Sequence, residues 1–119
     1  MPRHADIQPP DPGLLVLASL SSGPKHGYAI TQDVRAFAGV ALGPGTLYGA
    51  IARLEDRGLI EAVDSGDRRR PYRLTGSGRE SLEGQLSVLE RLTSTAAERL
   101  SGAIAGAPAT QVIRLVEGA

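Results

Sequence analysis

Apolar and polar positions follow a helical period in the first half of this chain, a two-residue period in its middle and a heptad-like period toward its end. Leu14 to Leu20 is a compact apolar run, closed by the breaker Ser21-Ser22-Gly23-Pro24. Gly27 to Ala38 sets Ile30, Val34 and Phe37 on one helical stripe. Further on, Leu47, Ile51 and Leu54 share one face of a third helix, with Thr46, Gly49, Arg53 and Asp56 opposite. Pro44 suits a first helical position and Gly58 a left-handed cap, which predicts this helix from about Pro44 to Arg57. In the connection Gly39 to Gly43, Val40 and Leu42 are expected to pin the turn against the core.

Leu59 to Val63 is a short apolar run with one charge, and Arg70 to Thr75 alternates, so both read as strands. Asp64-Ser65-Gly66-Asp67 between them has the composition of a turn, which makes a hairpin with Arg68, Arg69 and Arg70 at or beside its tip. From Leu82 the positions Leu82, Leu86, Leu89, Thr93, Ala96, Leu100 and Ala103 follow alternating steps of four and three, widened by Val88 and Leu92. Three short helices cannot cover a seam that wide, so a second copy of the chain is the expected partner, against the alternative of a helix packed on its own domain. Gly84 costs that helix about 1 kcal/mol relative to alanine, which packing must offset. The Ala- and Gly-rich stretch from Ser101 to Ala107 and then Pro108 should end it, with a further short helix over Thr110 to Val116.

The expected fold is therefore mainly α, an α+β winged helix: a three-helix winged helix-turn-helix with a two-stranded β wing and a long C-terminal dimerisation helix. Its divisions are a flexible arm over 1–12, a DNA-binding domain over 13–75, and a dimerisation helix with a short tail over 76–119. In that arrangement the exposed face of the third helix opens with small residues and then offers the Tyr48 hydroxyl and the Arg53 guanidinium to a major groove. Arg68 to Arg70 would meet the flanking phosphates, where guanidinium forks bond well. The expected DNA contacts are Thr46, Tyr48, Arg53, Arg68, Arg69 and Arg70; the expected dimer contacts are Leu82, Leu86, Leu89, Leu92 and Leu100. Tyr48 is divided between touching DNA and closing the hydrophobic layer, whereas Leu47, Ile51, Leu54 and Leu74 are core. A two-fold dimer would present two such helices about 34–36 Å apart. The competing reading is a winged helix that docks proteins and has no operator.

Composition narrows the chemistry. The chain has 119 residues and no cysteine, so one domain with an appended helix is expected, without disulfides or thiolate chemistry. No apolar stretch is long enough for a membrane span, and Met-Pro-Arg-His-Ala-Asp has no signal-peptide core, so a cytoplasmic protein is expected. Formal net charge is zero, yet Arg53, Arg57, Arg68, Arg69, Arg70, Arg73 and Arg79 crowd one window of the chain. Five acids share that window, so non-specific DNA binding should be weak and dependent on salt. His4 and His26 lack carboxylates at ligand spacing, and Gly23-Pro24-Lys25 is not a phosphate loop; no catalytic residue, metal or cofactor is expected. With no Trp, one Phe and three Tyr, an effector pocket is expected to be mostly aliphatic.

Three motifs then carry a family resemblance. His26-Gly27-Tyr28 within LLVLASLSSGPKHGYAI, Gly45-Thr46-Leu47-Tyr48 within PGTLYGAIARLEDRGLI, and Tyr72-Arg73-Leu74-Thr75 closing RRRPYRLT resemble, in this order and spacing, the PadR family of bacterial transcriptional regulators. The resemblance covers roughly residues 13 to 100. It implies a homodimeric regulator, usually a repressor, that binds a pseudo-palindromic double-stranded DNA operator and is often released by a small-molecule effector. The chain departs from the pattern at Gly43, where a serine often caps the third helix, and at Gly49, where a proline is common.

Overall fold

In the computed structural model, which describes residues 10–64, 66 and 68–103, the elements run α1 (Pro12–Leu20), α2 (Gly27–Ala38), α3 (Pro44–Asp56), β1 (Ile60–Ala62), β2 (Tyr72–Leu74) and α4 (Gly76–Ala103). The arm up to position 9, the tail from 104 and the short helix expected at 110–116 lie outside the described residues. Two compact units divide between Leu82 and Glu83.

The first unit is a winged helix. Asp11 caps α1 by accepting the Leu14 N–H (3.1 Å), and Pro12 opens the helix where a missing N–H costs nothing. Because α1 is apolar nearly all round, it is buried nearly all round: Leu15, Val16, Leu17 and Leu20 form the centre of the core. Ile30 and Val34 of α2, Leu47, Ala50, Ile51 and Leu54 of α3, and Leu59 and Ile60 close around it. Gly58 takes the left-handed conformation expected of it (φ 72°) and turns the chain from α3 into β1.

Two expectations about this core need correction. Phe37 shares its stripe with Ile30 and Val34, yet it is 51% exposed while they are fully buried. Left-handed Gly39 ends α2 just after it, and the turn that follows brings Val40 and Leu42 back onto the core in its place. Leu74, expected inside, is only half-buried at the edge of the cluster.

The hairpin pairs Ile60 with Leu74, Glu61 with Arg73 and Ala62 with Tyr72, antiparallel. It is shorter than the sequence pattern suggests, because Pro71 has no N–H to donate; the last bond runs from the Val63 N–H to the Pro71 carbonyl (2.8 Å). Gly66, at φ 72°, donates to Asp64 Oδ1 (3.3 Å) and so builds the turn from its own side chain. A third strand segment joins the wing: the Lys25 N–H donates to the Tyr72 carbonyl (3.1 Å) and the Tyr72 N–H to the Lys25 carbonyl (2.9 Å).

Helix α4 starts directly after β2, with Thr75 Oγ1 accepting the Gly78 N–H (3.0 Å) as its cap. Leu82, expected on the dimer seam, is instead 6% exposed within the core of the first unit, so the seam left available starts at Leu86. In the second unit Leu86, Val88, Leu89, Leu92 and Leu100 are all exposed, by 40% to 62%. Among the described residues no helix is long and apolar enough to cross a membrane.

Candidate nucleic-acid interface

The exposed end of α3 has little side-chain bulk. Gly43 stands at its N-cap in an extended conformation without a side-chain cap, and a Cβ placed on Gly45 would meet nothing within 4 Å. Thr46 and Arg53 lie on this exposed face. The Arg53 guanidinium runs back toward the start of the helix, with Nη1 3.5 Å from where a Cβ on Gly49 would sit. Glycine at 49 thus leaves a clear lane for the arginine, while itself offering no side chain to a base edge.

Tyr48 is 53% exposed but not isolated. Its hydroxyl oxygen lies 2.6 Å from the position a Cβ on Gly27 would take, so the ring settles over the start of α2 only because residue 27 has no side chain. That start is itself held firmly. The Lys25 ammonium donates to the Ser19 carbonyl and to Ser22 Oγ (2.6 Å), and buried Ser19 donates to Asp33 Oδ2 (2.7 Å). These bonds close the end of α1 onto α2, while the Lys25 backbone holds the wing.

The result is one concave surface of about 520 Å³. His26, Gly27 and Tyr28 come from the start of α2, Tyr48 from α3, Arg68 to Arg70 from the wing and Tyr72 from β2. Of the residues singled out in the sequence, Tyr48 and the three arginines meet here; Thr46 and Arg53 remain outside it on the open face of α3. Lys25, His26, Tyr28 and Tyr72 were not picked out for this site by sequence reasoning. The hint lay in the three family motifs, which prove to be in contact: Gly27 carries Tyr48, and Lys25, just before the first motif, pairs with Tyr72. All three tyrosines of the chain line this surface, so its few aromatic rings are gathered rather than scattered.

Burial raises the pKa of the Tyr72 phenol above the ordinary tyrosine value, with the Glu55 carboxylate and Tyr48 acting in the same direction and Arg70 opposing. Tyr72 is therefore a neutral hydroxyl, able to donate, throughout the neutral range. Spectrophotometric titration at alkaline pH should show a late-ionising phenol that Tyr72→Phe removes; loss of an early-ionising one instead would contradict this environment. Arg73, by contrast, is tied across the hairpin to Glu61 (2.8 Å), which withdraws one cation from the patch. Among the described residues no cluster of His, Cys, Asp or Glu is arranged to hold a metal ion. A cleft of arginines and phenolic hydroxyls beside an open helix face suits an extended polyanion.

Comparison with known proteins places these features in a family. Over 83 residues the chain is 46% identical to an uncharacterized 37.1 kDa protein in transposon TN4556 of Streptomyces fradiae, a match covering 70% of this chain and 24% of that protein. It is 37% identical over 82 residues to the transcriptional regulator Rv3488 of Mycobacterium tuberculosis, covering 66% of this chain and 76% of that one. The chain thus spans about a quarter of the length of the first of these relatives and about three quarters of the second. A solved PadR family transcription regulator from Clostridium difficile superposes with a TM-score of 0.67 at 29% identity, over 75% of this chain and 97% of that one. The model of the transcriptional regulator PadR-like family matches residues 16–84, more than half the sequence, and the chain belongs to that family.

Proposed function

We propose that this protein is a homodimeric regulator that binds double-stranded DNA in a sequence-specific way, acts as a repressor and is released by a small-molecule effector. The observation that carries DNA binding is the meeting of α3 and the wing: the open face of α3 with Thr46 and Arg53 adjoins a cleft walled by Tyr48 and Arg68 to Arg70. A groove-sized helix beside phosphate-binding guanidiniums is what duplex recognition requires, whereas a protein-docking winged helix has no need of the arginine wall. Thr46 and Arg53 read base edges, and the wing arginines hold phosphate.

Selection of bound fragments from random duplex DNA tests this directly, and should return a pseudo-palindromic consensus. Recovery of no consensus would leave the docking module as the better reading. Within the selected operator, Arg53→Ala should weaken binding by about tenfold or more, with a much smaller loss on random duplex, as expected for a base contact. Equal losses on both would remove Arg53 from specificity.

The dimer rests on α4. Leu86, Leu89, Leu92 and Leu100 recur at heptad positions and are exposed, an arrangement a second copy of the same helix would bury. In a two-fold pairing each substitution is made twice, so Leu89→Glu should raise the dimer dissociation constant by roughly a hundredfold or more. Sedimentation should show the wild type as a dimer and the variant as a 12.4 kDa monomer. A wild type that sediments as the monomer at micromolar concentration would end this part of the reading.

A further inference from the structure

We propose that the cleft between the start of α2 and the wing is a seat for one backbone phosphate of the bound duplex, gripped by the first turn of α2 on one side and the wing arginines on the other. This rests on the DNA-binding reading above and adds a contact outside both α3 and the wing.

Three observations converge on the seat. The first is a set of unanswered donors. Helical geometry leaves the N–H groups of Gly27, Tyr28 and Ala29 without carbonyl acceptors, and His26, at the N-cap, provides no side-chain bond to them. His26 Nδ1 is itself shut off from solvent and has no hydrogen-bond partner, so the ring lines the cleft without satisfying the end of its own helix.

The second is complementary chemistry on the facing wall. Arg68, Arg69 and Arg70 line the same cleft, and arginine forks match phosphate oxygens. A helix end with open N–H groups favours the same ligand.

The third is rigidity. The paired backbone bonds between Lys25 and Tyr72 fix the two walls against each other, and Gly27 admits the Tyr48 hydroxyl as a close-packed floor. A seat assembled before its ligand arrives loses less freedom on binding.

The substitution His26→Asn separates this role from a structural one, because the two predict opposite outcomes. Asparagine is a strong N-cap in the extended conformation that residue 26 already has. It would occupy the open N–H groups from within, raising the melting temperature of the full-length protein while weakening duplex binding about tenfold. A duplex series carrying a neutral methylphosphonate at each backbone position in turn supplies the second arm. At one position per half-site the wild type should lose about tenfold, and the His26→Asn protein nothing further.

If the variant binds duplex as tightly as the wild type, or if the two losses multiply at every position, the seat is overturned while DNA binding stands. Backbone amide shifts of Gly27 to Ala29 on titration with inorganic phosphate, against chloride at equal ionic strength, distinguish the remaining cases. Shifts in a wild type that binds no duplex would assign the seat to free phosphate and overturn the DNA source. No shifts and no duplex binding would remove both proposals.

Discussion

Replacing Arg68, Arg69 and Arg70 together by alanine should weaken binding to duplex DNA of any sequence by roughly a hundredfold per protomer and flatten its salt dependence. Each guanidinium–phosphate contact releases condensed counterions and contributes about 0.9 to the slope of log K against log salt, so the triple variant should lose between two and three from that slope for each protomer engaged. Solvent screens these exposed side chains, so about 1 kcal/mol for each contact is the appropriate scale, which sums to the hundredfold loss. Stability should scarcely change, because the three residues are exposed at the wing tip and none belongs to the core. Fluorescence anisotropy on operator and on random duplex, each at several salt concentrations, reads both quantities. A loss confined to the operator would make these arginines readers of bases, and an unchanged slope would take them off the phosphates.

The contrast with Arg53→Ala is the physical content of the proposed division of labour. Contacts to phosphate set affinity and register on every sequence, and contacts to base edges separate one sequence from another. The wing follows a tight Asx-type turn and is stitched to Lys25, so its arginines project from a fixed support. Arg53 instead lies along its own helix, over the lane that Gly49 leaves clear. One rigid body therefore carries both kinds of contact.

How much of this was legible in the sequence depended on the range of the interaction. The faces of α3 were legible because Leu47, Ile51 and Leu54 repeat at the helical period and each is buried. Gly58 was legible because a left-handed cap is a local requirement, and the wing because a turn and two alternating runs are adjacent in the chain. Phe37 was misplaced because periodicity records the face of a helix and not where its neighbours stop. Leu82 was misplaced for the same reason: it keeps step with Leu86 and Leu89, and only the fold shows that it lies over the core while they lie beyond it. The cleft was invisible because its walls meet through Lys25 and Tyr72 and through Gly27 and Tyr48, pairs far apart in the chain with no local pattern to announce them.

Glycines make the same point most sharply, since Gly76, Gly78 and Gly84 look alike in sequence. Gly78→Ala is expected to destabilise the protein by roughly 3 kcal/mol, at the upper end of ordinary overpacking. A Cβ there would drive into the Leu59 carbonyl, with its oxygen inside contact distance and its carbon 2.9 Å away, and with a Leu74 methyl at 3.3 Å. The carbonyl cannot retreat easily. Its oxygen accepts the Thr75 N–H (3.1 Å), while Thr75 Oγ1 donates to the Gly58 carbonyl (2.6 Å) and accepts the Gly78 N–H. Relieving the clash means moving α4 off the hairpin and breaking its cap, which outweighs the better helix propensity of alanine, worth at most about 1 kcal/mol. Gly84→Ala supplies the control with the opposite sign. Nothing lies within 4 Å of a Cβ at that position, so the propensity gain should appear as a rise of a few degrees in melting temperature. Thermal unfolding of the two variants beside the wild type decides the matter: Gly78→Ala should melt lower by roughly ten degrees or more, and a melting temperature at or above that of the wild type would show that α4 does not press on Leu59 as described.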